Sequence, residues 1–70
     1  MYVLIDRASR NVMAECSTFV EAESALLELV GTYPPAAHDL EIVGPGGLRQ
    51  GVSREQVERA ASAAAEVAGA

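Results

Sequence analysis

The sequence predicts an α+β domain in which an antiparallel sheet of three or four strands and two helices follow the order ββαββα. Two helix-start signals support this prediction, Thr18 with Glu21 and Ser53 with Gln56, and each follows an extended apolar stretch. The first hydroxyl can accept from the backbone amide three residues later, while the acid or amide there reaches back to the cap. Seventy residues allow one domain with a small core, so we expect a single domain over residues 1–70.

The first two strands are predicted at Tyr2–Asp6 and Val12–Cys16, because a polar stretch of hairpin-loop length separates two apolar runs. Along the first strand, Val3 and Ile5 point to one face and Leu4 points to the other. An antiparallel strand with one face in water usually alternates apolar and polar residues. The pattern therefore indicates a sheet whose two faces both need a cover.

The first helix is predicted from Phe19 to Val30, because apolar residues recur there at helical spacing opposite an acidic face. Gly31 is expected to end this helix in the left-handed conformation. The Pro34-Pro35 pair prevents continuation beyond Tyr33. The connector that follows can hold a short helical turn.

The second half of the chain predicts a hairpin and a helix. Leu40–Val43 is the third strand, Gly44–Gly47 a tight turn, and Leu48–Val52 a short fourth strand that Gly51 weakens. From Arg54 to about Ala68 the propensity is helical. A narrow stripe of small residues runs along this helix: Val57, Ala60, Ala61, Ala64, Val67 and Ala68. Small side chains bury little area, so three placements stay open: over the second sheet face, against a partner's copy, or frayed at its end.

The composition of the chain argues against several classes of function. Ten acids, five arginines and no lysine give a formal charge of −5, which repels nucleic-acid phosphates and favours solubility or a basic partner surface. The apolar N-terminal run is too short to span a bilayer and has no basic region before it or cleavage pattern after it. The only cysteine, Cys16, excludes an internal disulfide and a four-cysteine zinc site. We expect a cytoplasmic bacterial protein.

No cluster of residues suited to catalysis is evident. His38 beside Asp39 is a weak general-base candidate, because adjacent side chains rarely point at one site. A dyad of Cys16 and His38 would need an orienting group and an oxyanion hole that the sequence does not announce. Gly44–Gly47 lacks the lysine and hydroxyl of a P-loop, and the helix carboxylates indicate an exposed face rather than a metal site. We therefore expect no catalytic, cofactor-binding or metal-binding residue.

The function expected from these features is a noncatalytic interaction or regulatory module that associates with itself, as a homodimer, or with another protein. A small core and a weakly anchored last helix leave apolar surface that a second chain could bury. The candidate interface residues are Tyr2, Leu4, Val57, Ala61 and Ala64.

Two alternatives stay open. The arginines Arg7, Arg10 and Arg49 could form a basic patch for nucleic acid, as in an antitoxin-like regulator. The other interpretation of this loop is a solvated turn with ion pairs to Asp6 or Glu15. The chain could also be a fragment of a larger assembly, since the end at residues 68–70 resembles the beginning of a flexible tail.

Three segments, Tyr2–Asp6, Asn11–Glu15 and Ser17–Leu26, resemble the start of small bacterial β-β-α-β domains such as HicB-type antitoxins. In those proteins a Thr-x-x-Glu-Ala helix start follows a strand pair. The glycine turn at Gly44–Gly47 is similar to one in some uncharacterised proteins of this shape. The resemblance covers roughly residues 2 to 50 and implies a small partner-binding protein rather than an enzyme. It transfers no functional residue.

Overall fold

The computed structural model describes the backbone of residues 1–69 and the side chains of residues 1–66. Its strands and helices are β1 (Tyr2–Asp6), β2 (Asn11–Cys16), α1 (Phe19–Thr32), β3 (Leu40–Val43), β4 (Arg49–Gly51) and α2 (Arg54–Gly69). The predicted α+β fold and its ββαββα order are confirmed. The side chains of Val67 and Ala68, which were predicted to extend the small-residue stripe, and all of Ala70 lie outside the described residues.

The four strands form one sheet in the order β2-β1-β3-β4, and every neighbouring pair is antiparallel. Because β1 lies between β2 and β3, α1 crosses over β1 to connect them on one face of the sheet. The register between β1 and β2 shifts between Leu4 and Ile5, where Met13 has no partner. This irregularity bends the exposed edge strand, a feature that hinders pairing of edges.

The core lies between α1 and one face of the sheet. Leu4 is directly opposite Ile42, and their exposed fractions are 0% and 1%. Three residues of α1 at helical spacing pack above them, and all are buried: Ala22, Leu26 and Val30. The helix therefore covers the sheet face that carries Leu4.

Both predicted helix starts are present, with different hydrogen bonding. Gln56 N donates to Ser53 Oγ at 3.1 Å while Ser53 N donates to Gln56 Oε1 at 2.9 Å, which completes the reciprocal box. At α1, Glu21 N donates to Thr18 Oγ1 at 3.2 Å. The Glu21 carboxylate, however, accepts from the Thr18 hydroxyl at 3.1 Å instead of from its backbone amide.

The prediction of a left-handed Gly31 is wrong. The helix α1 continues through Gly31 to Thr32, and Gly31 is not among the described glycines with positive φ. A Cβ atom on Gly31 would lie 3.2 Å from the carbonyl oxygen of Ala60 and 3.6 Å from the Cβ of Ala64. The missing side chain thus allows α2 to approach α1 closely, and the proline pair ends α1 instead.

The helix α2 packs on α1 and reaches the edge of the core that α1 forms with the sheet. Ala60 is buried in the core, and Gln56 Nε2 donates to Glu23 Oε2 of α1 at 2.9 Å. Arg59 Nη1 lies 3.7 Å from the same carboxylate oxygen. The sequence left three placements of α2 open. The placement of α2 over the second sheet face is wrong.

The second hairpin and the short helical turn are confirmed. A 3₁₀ turn spans Pro34–His38, and another spans Pro45–Gly47 between β3 and β4. Gly46 and Gly47 have φ of 69° and 78°, a region that glycine enters without steric cost. The strand β4 is shorter at both ends than the predicted Leu48–Val52.

Candidate functional site

The sheet face that points away from the helices is termed the open face. Side chains alternate along a strand, and residues directly opposite each other share a face, so the pairing fixes its members. They are Val3, Ile5, Val12, Glu15, Glu41, Val43, Arg49 and Gly51. None of its apolar side chains packs against the core cluster within the described residues. The open face is thus uncovered by this chain's described helices.

Apolar side chains occupy the middle of the open face. Val3 is directly opposite Val43, and Ile5 lies two positions along the same strand, so the three are neighbours. They are half-buried, whereas Val12 on the edge strand is 59% exposed. A contiguous apolar surface on a sheet is a surface that a partner can bury.

An arginine–glutamate cluster, formed by Arg7, Glu41 and Arg49, borders this apolar centre. Arg49 donates from Nε and Nη2 to Glu41 Oε1 at 2.9 and 2.6 Å, and Arg7 Nη1 lies 3.9 Å from Oε2. Arg7 Nη2 also donates to the carbonyl of His38 at 2.8 Å. The Glu41 side chain is 10% exposed, against 64% for Arg49. The carboxylate is thus covered by arginines that still expose part of their surface.

Residues directly opposite each other on neighbouring strands form rows across the open face. One of these rows has a charged residue at each end. Glu15 is directly opposite Val3, Val3 is opposite Val43, and Val43 is opposite Arg49. Across β2, β1, β3 and β4 this row therefore reads acid, valine, valine, arginine. The neighbouring row reads Val12, Ile5, Glu41 and Gly51.

Two residues predicted for the interface face the helices instead. Leu4 is 0% exposed in the core, so its prediction as an interface residue is wrong, because no partner can reach it in this fold. Tyr2 is half-buried, with its ring centroid 6.0 Å from that of Phe19 in an edge-to-face arrangement. A Cβ atom on Gly44 would lie 2.6 Å from the Tyr2 ring. Tyr2 therefore closes one end of the core.

The other three predicted interface residues lie on α2. Val57 is half-buried against the core, Ala61 is exposed, and Ala64 lines a groove between α1 and α2. This groove has a volume of about 660 Å³ and is open to solvent. Its lining includes Gly31 and Ala60, where the two helices approach each other closely.

The predicted basic patch is only partly brought together. Arg7 and Arg49 converge on Glu41, where their charges are opposed by the carboxylate. Arg10 lies in the β1–β2 loop with φ of 62° and makes no ion pair within residues 1–66. The alternative interpretation, in which this loop forms ion pairs with Asp6 or Glu15, is wrong for residues 1–66. The Asp6 carboxylate instead accepts from the Ala8 amide and the Ser9 hydroxyl.

The structure does not bring Cys16 and His38 together. Cys16 pairs with Tyr2 at one end of β1, whereas Leu40, which follows His38 closely, pairs with Asp6 at the other end. These ends are about 13 Å apart along the strand. Among the described residues, no three His, Cys, Asp or Glu side chains are arranged to hold a metal ion. No described helix is long and apolar enough to cross a membrane.

The sequence reasoning missed the open face as the candidate surface, although it placed Val3 and Ile5 on a common face. The signal lies in β3, where Glu41 alternates with the apolar Leu40 and Ile42. The face that carries the acid is the one less suited to a core. The same conclusion holds for the face of β1 that carries Ile5, because Ile5 pairs with Glu41. Local sequence patterns do not reveal this pairing.

The chain matches no family model, no curated protein and no solved structure. Its resemblance to HicB-type antitoxins therefore stays a prediction from the sequence. Function has to be inferred from the geometry of the open face.

Proposed function

We propose that this chain is a small noncatalytic protein-interaction module that self-associates, with a second copy of the chain bound on the open face. The observation that carries this proposal is the apolar centre formed by Val3, Ile5 and Val43, over which no described helix lies. Removal of apolar surface from water is the main favourable term in association. Two copies can each supply the cover that the other lacks.

The distribution of charge favours a second copy as the occupant. The open face and the arginine–glutamate cluster hold two acids and two arginines, Glu15, Glu41, Arg7 and Arg49, although the chain has a formal charge of −5. Six of the ten acids lie instead on α1 and α2. Two copies can therefore meet through neutral surfaces while their excess negative charge points outward.

The size of the open face limits the strength of the association. Four strands about 4.8 Å apart, with about four residues each, give an area on the order of 300 Å². Stable interfaces of standard size bury about 800 Å² per partner. We therefore expect a concentration-dependent dimer whose dissociation constant is on the order of micromolar or weaker.

The test is the solution mass of the chain by light scattering or sedimentation over a wide concentration series. Val3→Asp places a charge at the centre of the open face and should keep the chain monomeric. The matched control is Val20→Asp, because Val20 is 71% exposed on α1, on the helical side of the molecule. This control should dimerise like the unmodified chain.

Because a charge at a half-buried strand position can also unfold the sheet, Val3→Thr is measured in parallel. Threonine keeps the β-branched shape that suits a strand but adds a hydroxyl to the interface. Circular dichroism should be native, and the dimer should be weaker. An unmodified chain that is monomeric at every concentration, or a Val3→Asp variant that is folded and dimerises normally, would contradict the proposal.

A further inference from the structure

Resting on the proposed function, we infer that the two copies pack with their two-fold axis along the strands, so that Glu15 of each copy faces Arg49 of the other. Glu15 and Arg49 stand at opposite ends of one row of the open face, so the direction of the two-fold axis decides which charged residues meet.

A symmetric pair of stacked sheets has two simple choices of axis. If the axis runs along the strands between β1 and β3, then β2 of one copy lies over β4 of the other, and β1 lies over β3. If the axis runs across the strands, each strand lies over its own counterpart. Both choices bury the same open face, so apolar burial alone does not decide between them.

The charges at the two ends of one row distinguish the two axes. With the axis along the strands, the row of Glu15, Val3, Val43 and Arg49 meets its own reverse, so acid faces arginine and valine faces valine. With the axis across this row, Glu15 would face Glu15 and Arg49 would face Arg49. Like charges brought together at an interface disfavour that arrangement. Packed sheets lie about 10 Å apart, a distance that a glutamate and an arginine reaching from opposite sides can span.

Both charged partners are available for this contact. Glu15 is exposed and makes no ion pair or side-chain hydrogen bond within the described residues. Arg49 is held in place by Glu41 through Nε and Nη2 and is nevertheless 64% exposed. A guanidinium carries five N–H donors, so Arg49 has further donors for a second carboxylate. Glu41 thus acts as a positioning residue for the contact.

The two ends of the neighbouring row, Val12 and Gly51, fit the same axis through shape, whereas its middle places Ile5 over Glu41 of the other copy. With the axis along the strands, Val12 lies over Gly51 of the other copy. Val12 is 59% exposed, and a Cβ atom on Gly51 would meet nothing within 4 Å. The protruding edge valine therefore faces the one strand position that has no side chain. This complementarity does not depend on the charges.

The decisive variant is Glu15→Gln, because the two axes predict opposite signs. With the inferred axis, two equivalent Glu15–Arg49 contacts are lost and the dissociation constant should rise about three- to tenfold. With the axis across the strands, removal of the facing acids should tighten the dimer. The control Glu58→Gln makes the same charge change on exposed α2, where it should leave the dimer unchanged or slightly tighter.

Salt and shape give further readouts. Added salt should weaken the unmodified dimer more than the Glu15→Gln dimer. Salt screens the Glu15–Arg49 contacts, which only the unmodified dimer has. Gly51→Val should also weaken the dimer by filling the space that receives Val12. A folded Glu15→Gln variant that dimerises as tightly as, or more tightly than, the unmodified chain would overturn the inferred axis. If Val3→Asp still abolishes that dimer, the proposed function stands and only the axis is wrong.

Discussion

Arg49 donates two hydrogen bonds to a single carboxylate oxygen of Glu41, from Nε at 2.9 Å and from Nη2 at 2.6 Å. The two residues lie on neighbouring strands, on the sheet face over which no described helix packs. Glu41 is nonetheless only 10% exposed, because Arg49 and Arg7 lie over it. An acid surrounded in this way stays hydrogen-bonded, which is the condition for burying a charged group at small cost.

Glu41→Gln tests how much this cluster stabilises the fold. The amide keeps the shape of the side chain but removes the charge that both arginines contact. Because Arg49 is 64% exposed and Arg7 52% exposed, water can solvate them after the change. We therefore expect a loss of about 1 kcal/mol in the free energy of unfolding, well below that for breaking a fully buried pair. Urea denaturation at a concentration that favours the monomer measures it.

The matched control is Glu58→Gln, the same substitution at an exposed position of α2. Exposed substitutions away from specific contacts usually change stability by less than about 0.5 kcal/mol. Equal effects of the two substitutions would mean that the charge of Glu41, despite its partners, adds nothing to the folded state.

The elements of this fold could be predicted from the sequence because their signals are local. The helix starts at Thr18 and Ser53 depend on residues three positions apart, and the glycine turn depends on a single short segment. Alternation along β1 also placed Val3 and Ile5 on a common face. These patterns fix what each segment forms, with boundary errors of a few residues.

The face that remains open could not be predicted, because it depends on contacts between distant segments. Which side of the sheet α1 covers is set by the pairing of Leu4 with Ile42, and the place of α2 is set by its approach at Gly31. A glycine near a helix end is typical of a left-handed cap, so the local pattern pointed to a different role. The candidate interface therefore lies on the face of β1 opposite to Leu4, which is buried.

Gly31→Val tests the close approach of the two helices. Valine would place methyl groups against the backbone carbonyl of Ala60, which already lies 3.2 Å from the position of a Cβ atom. Since a backbone oxygen cannot turn away as a flexible side chain can, α2 must shift. Although valine is a better helix former than glycine, we expect a net loss of about 1–3 kcal/mol in the free energy of unfolding. Thermal or urea unfolding measures this loss.

The control for this variant is Gly51→Val, which introduces the same side chain where a Cβ atom meets nothing within 4 Å. Valine favours strands and glycine weakens them, so stability should stay the same or rise. Both variants are compared at a concentration where the monomer dominates, because Gly51→Val should weaken the dimer. A Gly31→Val variant at least as stable as the unmodified chain would show that the helices accommodate the side chain without cost.

Contact between Tyr2 and Gly44 can be isolated by a double-mutant cycle. A Cβ atom on Gly44 would lie 2.6 Å from Cδ2 of the Tyr2 ring, closer than real atoms approach. Gly44 itself has φ of −143° and ψ of −172°, an extended conformation open to any residue, so a substitution there is not strained by the backbone. We therefore expect Gly44→Ala to lower the free energy of unfolding by about 1–2 kcal/mol, mainly through displacement of the ring, since the next atom, Leu48 Cδ2, lies 3.2 Å away.

If the ring is the main cause, Gly44→Ala should cost much less once Tyr2→Ala has removed it. The coupling free energy of the cycle should then be about 1 kcal/mol or more, as for other residues in direct contact. The four proteins are compared by urea unfolding, with circular dichroism to verify the fold. A Gly44→Ala cost of the same size in both backgrounds would place its origin in the contact with Leu48 Cδ2 instead, which lies 3.2 Å from the position of the Cβ atom. Tyr2 would then close the core without depending on the glycine beneath it.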